Sequence, residues 1–218
     1  MNNREAVYTE EYKGHTIKVY QDTDYQESPK DWGDDSVFLV GYHRDFTVEN
    51  QLVSEDICRA IAENDTKKTG DDDDYIREQA RDIVKKYHTF GLEAYIHSGV
   101  TLALSNEGNF CDRNWDVSQL GMVFIAKSEA RTKLKARKLA LSLIESWNDC
   151  LSGNVYGYRA GEDAEIGSCW GFIGDYEESG ILEQARSDVD VFVESERQKK
   201  QRKTKAYLLN RVPIYRRI

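Results

Sequence analysis

Residues 91–106 read GLEAYIHSGVTLALSN. Two strand-like runs meet at Ser98-Gly99, a pair of turn formers, and this predicts a β-hairpin. LGMVFIAK (120–127) has the length and composition of a third strand in the same group. Strands joined this tightly run antiparallel, because a parallel pair needs a long crossover.

Working outward, strands continue to come in pairs between helices. HTIKVYQ (15–21) and SVFLVGY (36–42) are rich in β-branched and aromatic residues and read as strands. SEDICRAIAEN (54–64) reads as a helix capped by Ser54, with Ile57 and Ile61 at helical spacing. TKKTGDDDD is a linker into a second helix, DYIREQARDIVKKYH, striped by Ile76, Ala80, Ile83, Val84 and Tyr87. The most strongly periodic helix runs from a Ser128 cap to Leu151, with Leu134, Leu141, Ile144 and Trp147 on its apolar positions. GNVYGYRA and EIGSCWGFIG follow as short strands, residues 176–205 as a charged helix, and AYLLNRVPIYRRI as a closing segment. This order predicts an α+β fold, with a mainly antiparallel sheet packed by helices and a basic C-terminal helical extension. Residues 92–126 and 153–174 are expected to share the sheet, with helix 128–151 packed on it.

Charge divides the chain more sharply than the formal net of −9 suggests. From Arg197 onward there are nine of the 30 Lys and Arg and none of the 39 Asp and Glu. The preceding 196 residues therefore hold 21 bases against 39 acids, a net of −18. The expected organisation is an acidic α+β domain over 1–196 and a basic segment over 197–218. Neither a targeting segment nor a membrane span is visible, since the longest apolar runs are strand-length. A cytoplasmic setting with free thiols at Cys58, Cys111, Cys150 and Cys169 is the expected one.

Metal-ligand spacing, phosphate-binding glycine loops and EF-hand patterns are all missing from the sequence, so no metal or cofactor is expected. One enzymatic alternative places Cys111, Asp112, Asp116 and His97 near a common centre. Acidity points elsewhere. Residues 22–35 hold six acids and one Lys, residues 71–78 hold four consecutive aspartates, and residues 160–185 hold seven acids without a Lys or Arg. Asp31, Asp34, Asp35, Glu162, Asp163, Asp175, Glu177, Glu178 and Glu183 are the candidate partner-binding residues. Held on a rigid scaffold, such carboxylates can stand where the phosphates of a nucleic acid would lie.

In GSCWGFIGDYEESG (167–180), Trp170, Phe172 and Ile173 are expected to pack the sheet, as is Trp147 on the helix before it. Cys169, pointing opposite to Trp170, is expected under a helix, with the acids beyond as a charged edge. Two basic stretches, ARTKLKARK (130–138) and the tail from Arg197, are candidates for direct nucleic-acid contact or for pairing with the protein's own acidic surface.

Taken together, WDVSQLGMVFI (115–125), GNVYGY (153–158) and GSCWGFIG (167–174) make residues 90–185 resemble accessory proteins of bacteriophages and other mobile elements. The resemblance implies a phage-type protein in the host cytoplasm that inhibits a host defence complex of CRISPR or restriction type. Its partner would be a host nucleic-acid-binding protein or complex, with no membrane involved and with a homo-oligomer allowed. The competing readings are an enzyme acting on a nucleotide or nucleic acid, and a structural or DNA-packaging accessory that uses the basic tail.

Overall fold

The structure is a computed structural model. It describes residues 5–25, 35–43, 46–48, 52–70, 72–110 and 113–211. The fold is α+β with every strand pair antiparallel. The expected single sheet is in fact two: one has four strands and the other five. The described residues form two compact units, one drawn from 1–25 and 154–218 and the other from 26–153.

In the first unit, β1 (Tyr8–Tyr12) and β2 (His15–Gln21) form a hairpin that the sequence reading only half captured. Its turn is Lys13-Gly14, both at positive φ, which suits the twist of a two-residue hairpin loop. β8 (Val155–Ala160) pairs with β2, and β9 (Gly167–Ile173) pairs with β8 at the edge. This explains the split into two sheets: the first hairpin captures 153–174, through Ile17 opposite Ala160 and Val19 opposite Tyr158. Those four side chains are fully buried under Ile181, Ala185 and Val189 of α5 (Ile181–Arg211).

In the second unit the sheet order is β4-β3-β7-β5-β6. The strands are β3 (Val37–His43), β4 (Phe46–Val48), β5 (Tyr87–Ile96), β6 (Val100–Leu104) and β7 (Val117–Ala126). The hairpin around Ser98-Gly99 forms as the sequence predicts, but β5 begins at Tyr87, within the segment that reads as helical. Tyr87 there pairs with Ala126 at the end of β7, and α2 (Asp74–Lys86) stops one residue earlier.

Helices cover both faces of this sheet. Phe38, Val40, Met122 and Phe124 pack with Cys58 of α1 (Glu55–Ala62) and with Ile83 of α2. Leu39, Leu120, Val123 and Ile125 pack against α4 (Lys133–Ser152). Burial on both faces is why VFLV and MVFIA read as unbroken apolar runs rather than as alternating ones.

α4 starts later than the sequence suggests, at a Thr132 cap whose side chain accepts the Lys135 amide. Its inward stripe keeps the expected Ile144 and Trp147 but has Ala136 and Ala140 in place of Leu134 and Leu141. Ala136, Ala140, Ile144 and Trp147 are buried, whereas Leu134 is 69% exposed and Leu141 faces water. The small alanines let the helix backbone close on the sheet, and packing at that distance outweighs the larger but misplaced leucines.

Gly41 and Gly121 sit opposite each other where β3 meets β7. A Cβ at Gly121 would stand 2.1 Å from the Val40 carbonyl oxygen, well inside contact distance. Gly121→Ala is expected to lower stability by about 1–3 kcal/mol through forced overpacking. Gly99→Ala, with nothing within 4 Å of the new methyl, should cost far less. Urea midpoints of the two variants check this ordering.

Candidate partner-binding surfaces

β9 divides the acids of residues 160–185 instead of gathering them at one edge. Glu162 and Asp163 occupy a short 3-10 turn before the strand, and Asp175, Glu177 and Glu178 form the turn after it. The strand's seven residues hold the two groups about 20 Å apart. All five carboxylates are exposed, as is Glu183 in the first turn of α5.

The 175–178 turn is fixed from several sides. The Asp175 side chain accepts the Glu177 amide at 2.8 Å, and its carbonyl accepts the amides of Glu178 and Ser179. Tyr176 turns inward between them, its ring 5.7 Å from those of Tyr8 and Tyr156. Gly174 and Gly180, both at positive φ, bracket the turn. Of the remaining candidates, Asp35 is exposed just before β3, and its carbonyl accepts the Tyr87 hydroxyl. Asp31 and Asp34 lie outside the described residues. In the 71–78 segment, Asp74 is engaged internally by the amides of Thr69 and Gly70.

β9 itself carries a bulge: Tyr156 faces Phe172 and Tyr158 faces Cys169, so Trp170 and Gly171 share the place of one residue. Gly171 takes the positive φ this requires. Phe172 stays on the α5 side with Tyr158. Trp170 turns to the opposite face and lies over Gly157, where a Cβ would come 2.2 Å from its ring. Trp170 and Phe172 are thus half-buried on opposite faces, and Trp147 alone of the three expected core aromatics is buried at 5% exposure.

Cys169 is exposed, which corrects the expectation that it lies under a helix. β9 is an edge strand, so one flank of Cys169 has no neighbouring strand to cover it. Cys58 is on the buried side of α1, where burial first and the nearby Glu55 second push its thiol up to about 12. Burial likewise pushes Cys150 up to about 11. Both thiols therefore stay protonated and weakly nucleophilic at neutral pH. Maleimide labelling of the native protein with site mapping is expected to modify Cys169 well before Cys58 or Cys150, which should react only on unfolding.

Among the residues of the enzymatic alternative, His97 Nδ1 lies 3.5 Å from Asp116 Oδ2. Cys111 and Asp112 lie outside the described residues. Asp116 ends a short helix, α3 (Arg113–Asp116), whose Trp115 is 88% exposed. Glu93 holds this corner in place. It is 3% exposed and accepts the amides of Asn106 and Gly108 together with Arg113 Nη2 at 2.7 Å. Burial raises the Glu93 carboxyl, but the Asn106 amide, Arg113 and the Gly108 amide outweigh it and hold the group below its ordinary range.

A depressed carboxylate contributes stability above the unfolded-state pKa and loses it as pH falls through the folded one. Glu93→Gln is expected to cost about 1–3 kcal/mol at neutral pH. The gap from the parent should close in acid. Paired urea melts at the two pH values check it.

The basic segment proves to be helix as far as Arg211, continuous with the docked half of α5. It bears ion pairs of its own, Arg197 with Glu194 and Lys199 with Glu196. An open, mostly apolar groove of about 930 Å³ runs beside it, lined by residues including Phe192, Val193, Lys200, Leu208 and Leu209. In the ARTKLKARK stretch, Arg137 pairs with Glu107.

The side chains that sequence reasoning missed lie on the outer face of the four-stranded sheet. Tyr20 and Trp170 stack there at 6.3 Å and 29°, and the Arg159 guanidinium stands 5.5 and 5.7 Å from their ring centres. Strand alternation in HTIKVYQ and VYGYRA was the available signal, since it sets Lys18, Tyr20 and Arg159 opposite the buried residues.

Among the described residues, no group of three or more His, Cys, Asp and Glu is placed to hold a metal ion. No described helix is long and apolar enough to cross a membrane. No family model, no curated protein and no solved structure matches the chain.

Proposed function

We propose that this protein acts by binding, as a phage-type accessory inhibitor of a nucleic-acid-handling host defence complex of CRISPR or restriction type, working in the host cytoplasm. The observation that carries the reading is the 175–178 turn, where Asp175, Glu177 and Glu178 are exposed on a backbone pinned by Tyr176. Fixed carboxylates of this kind complement a basic groove that normally receives phosphates. Glu183 extends the same surface onto α5, while Glu162 and Asp163 form a second acidic point at the far end of β9. The resemblance to phage accessory proteins supplies the setting. The basic half of α5 allows a further contact with nucleic acid.

The test is DNA cleavage by purified CRISPR and restriction complexes, titrated with the protein. Inhibition is expected near equimolar amounts. Changing Asp175 to Asn and Glu177, Glu178 and Glu183 to Gln should weaken it at low salt and leave the thermal midpoint nearly unchanged, because exposed carboxylates add little to stability. The difference should shrink as the Debye length falls to about 3 Å near 1 M salt. Unchanged inhibition with the same salt slope refutes the mimic.

A second reading rests on the His97–Asp116 pair, an arrangement able to orient a general base. Nucleotide or nucleic-acid turnover at strongly substoichiometric protein, abolished by His97→Ala, would establish it instead.

A further inference from the structure

We propose that the outer face of the four-stranded sheet is a binding site for single-stranded nucleic acid, with Tyr20 and Trp170 stacking a base and Lys18 and Arg159 holding the adjoining phosphate. The site is built by strand register. Tyr20 of β2 lies directly across from Gly157 of β8, and the β9 bulge brings Trp170 over the same glycine from the other side. With no side chain at Gly157, the two rings meet across the central strand and stack.

One row along, Lys18 faces Arg159 on the same face. Rows on one face of a strand are about 6–7 Å apart. Rings and cations are therefore separated much as a base is from its own phosphate.

The charges favour this ligand. Lys18 and Arg159 are both exposed, and neither makes an ion pair with a carboxylate among the described residues. In a chain of net charge −9, that leaves two adjacent cations available to an anion. Two acids border this face: Glu11 at the β1 edge accepts the Thr16 hydroxyl at 2.5 Å, and Asp22, on the side of Tyr20 away from Lys18, accepts the Asp24 amide at 3.3 Å. Arg159 already lies against both rings, which holds this cation at the edge of the aromatic platform where the phosphate of a stacked base would fall. Tyr25 sits beside the bulge at Gly171, 3.2 Å from where a Cβ would be. A duplex hides its base faces, so the platform discriminates in favour of unpaired strands. This inference does not depend on the acidic turn, which lies at the end of β9.

The experiment is fluorescence anisotropy of the full chain with a labelled oligothymidylate, a duplex of equal length and a polyglutamate peptide. The single strand should bind best. Trp170→Ala should weaken it about tenfold, as expected for one lost stacking contact. Lys18→Ala and Arg159→Ala, at exposed positions that leave the fold intact, should also weaken it and flatten its salt dependence. Changing Arg197, Lys199, Lys200, Arg202, Lys203, Lys205 and Arg211 to Gln removes the cations of the basic helix and should leave the platform's share in place.

The proposal is overturned if no binding occurs, or if the helix variant abolishes binding while the Lys18 and Arg159 variants do not change it. Duplex bound as tightly as single strand would also overturn it, because stacking would then have no part. Polyglutamate bound as tightly would reduce the site to a charge patch.

Discussion

The four-stranded sheet depends on one stripe of α5. Ile17, Val19, Tyr158 and Ala160 form the sheet's buried face, flanked by half-buried side chains such as Tyr8, Tyr12, Tyr156 and Phe172, and Ile181, Ala185 and Val189 cover it at i, i+4 and i+8. Polar contacts fix the helix on either side of that stripe. The Tyr158 hydroxyl donates to Asp188 at 2.5 Å, Arg186 forks onto Glu10, and Lys13 meets Asp190 at 2.7 Å. Burial first and the Asp188 carboxylate second push the Tyr158 hydroxyl upward, so it remains a donor across the working pH range. One docking event thus sets the helix axis and closes one face of the sheet, while Lys18 and Arg159 on the other face stay exposed.

Much of this was legible because it depends on local pattern. The Ser98-Gly99 hairpin, the Ser54 cap and the strand runs VFLV and MVFIA announce themselves within a few residues, and the structure keeps them. What stayed hidden is pairing at long range. Nothing local says that β8 joins β2, some 140 residues earlier in the chain, rather than the nearer β5–β7 group. The decision is made by matching buried faces, Ile17 to Ala160 and Val19 to Tyr158, once α5 is in place. Half of the α4 stripe, Leu134 and Leu141, was misread for a related reason, while Ile144 and Trp147 were read correctly. Periodicity admits both the leucine and the alanine faces, and only the required approach distance selects Ala136 and Ala140.

The same limit governs the candidate surfaces. Counting acids between residues 160 and 185 finds a charged region, but a strand of fixed length lies inside it and separates its two ends. The edge position of β9, invisible in sequence, exposes Cys169. Its bulge, signalled only by Gly171, rotates Trp170 away from Phe172. An aromatic run that looks like continuous core is thereby divided between two faces. Half of it anchors α5, and half meets Tyr20 and Arg159 on the surface.

The polarity of α5 joins these surfaces in one element. Its 31 residues extend about 46 Å, with acids at the start and bases beyond Arg197, an order that complements the helix dipole at both ends. The docked half nucleates the helix, so the far half need only propagate, which spares it the cost that makes short isolated helices marginal. Propagation is helped by Glu196 beside Lys199 and Glu194 beside Arg197. Glu196 also attracts Lys200 and Lys203, but no acid follows it, and the mutual repulsion of the bases from Lys200 to Lys205 works against the helix. An anionic partner laid along that half would relieve the repulsion as well as gain contacts. The sheet that anchors α5 therefore carries a cationic helical arm whose charges are held in one continuous element.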